Sequence, residues 1–73
     1  MEKLKAYIEE IKMNDHNDIL HISNQPSSGP FGVFDLFDGY EQLGTYEVKR
    51  PHPFKEHQWV EVTIFKEKIV EVV

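Results

Sequence analysis

Apolar and polar residues alternate most regularly at the end of the chain, where Val60, Val62 and Ile64 are interleaved with Glu61, Thr63 and Phe65. A period of two is the signature of a half-buried strand. A second alternating run, Val70 and Val72 against Ile69, Glu71 and Val73, follows across Lys66, Glu67 and Lys68, so the region reads as a hairpin. A three-residue loop that pairs Phe65 with Ile69 sets Ile64 opposite Val70 and Val62 opposite Val72, giving one wholly apolar face. A two-residue loop sets Val62 opposite Glu71, and a one-residue slip reverses the face of every side chain. The pattern therefore favours the first register, with valines inward and Trp59, Phe65 and Ile69 outward.

At the other end, Met1, Leu4, Ile8 and Ile11 recur at helical spacing with Lys5, Glu9 and Lys12 between them. This predicts an amphipathic helix over residues 2–13, supported by Lys5–Glu9 and Glu9–Lys12 pairs. A helix this short is marginal alone, so its stripe must dock on the sheet. Polar residues from Asn14 to Asp18 turn the chain into a short strand over 19–23. Asn24 to Pro30 is loop-like, and a strand over 31–37 leads into Asp38–Gly39, a hairpin cue. The return strand covers 40–49 with Gly44 as a bulge or bend. Pro51 and Pro53 make 50–57 a connection, and strands over 58–65 and 69–73 complete the chain. The expected fold is α+β: a single domain with one N-terminal helix packed on a curled antiparallel meander of about five strands.

With 73 residues the core is small, and chains of this size often gain stability from disulfides, a metal or a partner. Cysteine is absent, which removes disulfides and thiolate zinc sites and leaves oligomerisation or docking on another protein. Residues 1–13 contain no apolar run, so they read as neither a secretory signal nor a membrane span, and a cytoplasmic location is expected.

The net charge of −5 is unevenly spread. From Asn14 to Val48 stand Asp15, Asp18, Asp35, Asp38, Glu41 and Glu47 with no Lys or Arg, whereas Lys49, Arg50 and Lys55 follow closely. Direct nucleic-acid binding through a broad basic face is disfavoured. A basic or dipolar partner fits better.

Recognised catalytic signatures are missing. His52 and His57 stand five apart beside Glu56, which does not meet the i, i+4 helical spacing of a metalloprotease motif. No serine lies in a nucleophile elbow and no phosphate loop occurs. The strongest rival to a binding role is a small metal-dependent or acid–base enzyme assembled in space from His52, His57, Glu56 and Asp35. A weaker one is an anion site at Lys49, Arg50 and Lys55. No cofactor is called for.

The aromatic residues are more telling, since Phe31, Phe34, Phe37, Tyr40, Tyr46, Phe54, Trp59 and Phe65 cannot all be inside so small a core. One helix covers one sheet face, so an uncovered face carrying Trp59, Phe65 and Ile69, with Tyr40, Asp38 and Glu41 near the central turn, reads as a protein-binding surface. The expected function is a small interaction module that binds another protein or a second copy of itself. An acidic surface of this kind would suit an inhibitor or antitoxin-like protein that imitates phosphate charge.

Overall fold

The computed structural model describes residues 1–26 and 40–73. These form five strands: β1 Glu2–Met13, β2 Asn17–Ser23, β3 Gln42–Lys49, β4 Gln58–Phe65 and β5 Lys68–Val72. All neighbours pair antiparallel, in the order β3-β2-β1-β4-β5. There is no helix among the described residues, so the α+β expectation is overturned, and none therefore is long and apolar enough to cross a membrane.

The segment expected as a helix is the central strand. Residues 2–8 of β1 pair with β4 and residues 7–13 with β2, so one long strand belongs to two halves of the sheet. The register skips between Ile8 and Glu10, which makes Glu9 the inserted residue of a β-bulge. A bulge bends its strand and increases the local twist, letting β1 turn from one half to the other. It also explains the misleading pattern. Ala6 and Ile8 are fully buried, and Leu4 and Ile11 pack against the same core. Inward positions thus fall at 4, 6 and 8, then jump to 11. With alanine at position 6, only Leu4, Ile8 and Ile11 register as strongly apolar, at the i, i+4, i+7 spacing of a helical stripe.

The terminal hairpin forms where the alternation placed it, but with another turn. Phe65 pairs with Lys68 across Lys66 and Glu67, whose φ values of 52° and 66° suit the tight two-residue turn whose twist matches that of paired strands. Ile64 then faces Ile69, a bulge follows, and Thr63 faces Glu71 and Val62 faces Val72. The expected Val62–Val72 pairing is present, whereas the Phe65–Ile69 and Ile64–Val70 pairings are not. The bulge removes the objection to the short turn, because it restores Val62 to Val72 after the register has started one residue off. As a consequence Ile69 points inward and is buried, while Val70 is turned outward.

β3 and β5, at the two sheet edges, come together and nearly close a barrel. Successive antiparallel pairings make these two edges parallel to each other. The circuit 1-2-3-5-4 with an open seam is shared with the partly open, five-stranded Greek-key barrels of OB type. Gly44 lies at this seam with φ 139°, beside a bulge where Ile22 faces Gly44 and Ser23 faces Gln42. The expected bend at Gly44 is therefore present. A Cβ there would meet only Ile69 Cδ1 at 3.7 Å, an ordinary contact, so the need for glycine is conformational. Gly44→Ala is expected to cost about 1–2 kcal/mol through backbone strain alone, read as a lower urea midpoint with an unchanged slope.

Leu20, Ile22, Val60, Val62 and Val72 complete the buried core with Ala6, Ile8 and Ile69. Strands expected at 19–23, 40–49 and 69–73 are found as β2, β3 and β5 with ends shifted by one or two residues, and β4 matches 58–65. The strand expected over 31–37 and the Asp38–Gly39 turn lie outside the described residues, as does Asp35.

Candidate functional site

Strand parity on β4 sends Val60 and Val62 inward and Trp59, Glu61 and Phe65 outward. Trp59 is 47 % and Phe65 45 % exposed. Tyr7 lies opposite Trp59 in the β1–β4 register, its ring meeting the indole edge-on with centroids 5.2 Å apart. The tyrosine hydroxyl is 3.0 Å from His57 Nδ1, and the His57 backbone N–H donates to Ile8 O at 2.7 Å. At the far end, the Lys66 ammonium stands 5.3 Å from the Phe65 ring centroid. Six residues of strand separate the two aromatic groups by about 20 Å. Between them Lys5 faces Glu61 and Lys3 faces Thr63, so the face is two aromatic anchors flanking charged rows.

The other proposed members of this surface lie elsewhere. Ile69 is in the core. Tyr40 and Glu41 sit where the chain enters β3. There Asn24 N–H donates to Glu41 O at 3.0 Å, Glu41 N–H donates to Asn24 Oδ1 at 2.9 Å, and the Tyr40 hydroxyl donates to Glu9 Oε2 at 2.5 Å. Partial burial, with the Glu9 carboxylate as acceptor, pushes the Tyr40 phenol above its usual range, so it remains the donor at neutral pH. Glu9 reaches this position because it is the inserted residue of the β1 bulge. Asp38 lies outside the described residues.

The connection 50–57 holds most of the residues considered for chemistry and uses them internally. Phe54 N–H donates to His52 Nδ1 at 3.1 Å, which leaves the ring proton on Nε2, and that atom donates to Asp18 Oδ2 at 2.6 Å. Both ring nitrogens of His52 are thereby engaged, so neither is free to take a metal or a substrate proton. The imidazole also stacks on Phe54 at 5.7 Å. Arg50 Nη2 donates to the carbonyls of Asn14 and Asp15 at 2.7 and 2.9 Å, while Nη1 lies 3.6 Å from Asp18 Oδ1. Glu56 Oε2 accepts from Ile11 N–H at 2.9 Å.

His52, His57 and Glu56 therefore belong to three separate bonds, with Asp18, Tyr7 and Ile11, and form no common site. Among the described residues no group of three or more His, Asp or Glu is placed to hold a metal. The anion-site residues are equally divided: Arg50 is committed to the β1–β2 turn and Asp18, Lys49 faces Asn17 at the end of β3, and Lys55 N–H donates to Gln58 Oε1 at 3.0 Å.

Asp18 is the important residue that sequence reasoning passed over. It is 7 % exposed, and its parity with Leu20 and Ile22 places it on the inner face of β2. That parity was available in the sequence, since an acid in phase with core residues must find partners inside.

Comparison with protein-family models, curated proteins and solved structures found no match to this chain.

Proposed function

We propose that this chain is a small cytoplasmic protein-interaction module that binds another protein, or a second copy of itself, through the outer face of β4. The observation that carries this reading is the half exposure of Trp59 and Phe65 on a strand whose alternate residues are buried. Large aromatic groups of this type dominate binding energy at protein interfaces. The polar groups of the 50–57 connection, by contrast, are consumed by internal bonds, which favours binding over acid–base chemistry.

Barrel connectivity does not by itself assign a ligand. OB-type barrels use the outer face of β2 and β3, and binding of single-stranded nucleic acid relies on aromatic stacking platforms and a basic groove. Here the outward positions of those strands include Ile19, His21, Thr45 and Glu47, with no aromatic ring among them. The reading therefore stays with a protein partner. Charge on the β4 face is mixed, since Lys3 and Lys5 stand beside Glu61 and Glu71, so recognition there does not depend on phosphate mimicry.

The double substitution Trp59→Ser/Phe65→Ser is expected to leave the circular dichroism spectrum unchanged and to cost at most about 1–2 kcal/mol, chiefly from the lost Tyr7 contact and residual packing. The same variant should lose partners retained by the wild type in paired captures from native lysate, and any concentration-dependent dimer seen in sedimentation. Retention of every partner and of the dimer by the folded variant would defeat this reading.

A further inference from the structure

The barrel's seam is closed at one point and open beside it. Gly44 and Ile69 bring β3 and β5 into contact, but near the start of β3 a cavity of about 480 Å³ opens between the edges. Its lining combines Leu4, Leu43 and Ile64 with Glu2, Glu41 and Glu67. The three apolar side chains also pack on the core, so they form the floor. The glutamates are exposed, and the described lining contains no Lys or Arg. A second cavity of about 350 Å³ shares Leu43 and Glu67 with the first and continues along the seam to Lys68.

The chemistry of this groove narrows its occupant. The carboxylates are not grouped closely enough to hold a metal ion, and contact between β3 and β5 at Gly44 leaves no room for a strand to be inserted along the whole seam. An apolar floor with an anionic rim instead complements a side chain that has an aliphatic stem and a cationic head. The net charge of −5 adds long-range attraction for such a group.

We propose that the groove at the β3–β5 seam receives a lysine or arginine side chain, with an adjoining apolar residue, from a basic segment of a partner protein. The stem lies on Leu4, Leu43 and Ile64 while the head is held among Glu2, Glu41 and Glu67. This proposal uses residues separate from Trp59 and Phe65 and stands or falls independently of the β4 face.

Titration of the ¹⁵N-labelled protein with the peptide Ac-Gly-Leu-Lys-Arg-Leu-Gly-NH₂ tests it. Saturable shifts are expected at Leu4, Leu43, Ile64 and Glu67, with none at Trp59. Replacing both cationic residues of the peptide by norleucine, which keeps the stems and removes the heads, should abolish binding. Glu41→Gln/Glu67→Gln should raise Kd by at least about ten-fold. Glu10→Gln/Glu47→Gln removes the same charge from another face and should change Kd by less than about two-fold. Shifts that grow linearly and spread over all carboxylates, equal effects of the two glutamine pairs, or shifts centred on Trp59 would each overturn the assignment.

Discussion

Ile8→Ala is expected to remove about 3–4 kcal/mol of stability, the cost of emptying a fully buried aliphatic position that cannot collapse. A domain of this length has a total of only about 4–11 kcal/mol available. Ile8 is completely buried and lies where β1 passes from one half of the sheet to the other, paired with Ile22 on one side and Gln58 on the other. Its carbonyl also accepts the His57 N–H. Three strands and the 50–57 connection therefore meet at this residue, and no neighbouring element is loose enough to fill the space. At about 4–8 °C per kcal/mol, the melting temperature should fall by roughly 15–25 °C. Leu4→Ala, at a half-buried position beside the seam cavity, should cost about 1–2 kcal/mol. The ratio matters because a helical stripe would bury Leu4 and Ile8 alike. Equal losses for the two variants would contradict the bulged-strand arrangement.

How much of this structure could be read in advance is clearest from the two ends of the chain. The run from Val60 to Ile64 alternates without interruption, so β4 was legible to the residue, and so was the outward placement of Trp59 and Phe65. β1 obeys the same rule of two but carries one extra residue, Glu9, and one weakly apolar inward residue, Ala6. Together these convert a strand pattern into a helical one. Sequence periodicity registers where apolar residues fall, but it does not reveal that a bulge has shifted the phase between them. Ile69 was misplaced for a related reason: the bulge in the β4–β5 ladder turns it inward and sends Val70 out. The seam groove was illegible because Leu4, Leu43 and Ile64 come from three strands, and only closure of the sheet into a barrel brings them together. The chemistry of the 50–57 connection was illegible for the opposite reason. His52, Glu56 and His57 are close in sequence, yet each is drawn to a different partner on β1 or β2.

Asp18→Ala should rank with Ile8→Ala in its effect. Truncation leaves the His52 Nε2–H and the Arg50 guanidinium without their shared acceptor in a part-buried site, a change expected to cost about 3 kcal/mol. Asp18→Asn keeps an oxygen for His52 while removing the charge that faces Arg50, so its cost should be nearer 1–2 kcal/mol. Met13 and Val48 are the register neighbours of Asp18 on β1 and β3, which makes the surroundings apolar enough to test the pair as a unit. Replacing both partners, Asp18→Leu/His52→Leu, should recover at least about 1 kcal/mol relative to the sum of the single changes, because no polar group is then left without its complement. The damage should also be local. Arg50 ties the carbonyls of Asn14 and Asp15 to this site, so amide exchange in Asp18→Ala should quicken across the β1–β2 turn and the 50–57 connection before it does in the β4–β5 hairpin. A variant within 0.5 kcal/mol of wild type, or uniform acceleration across all five strands, would show that the His52–Asp18–Arg50 contacts do not fasten this end of the barrel.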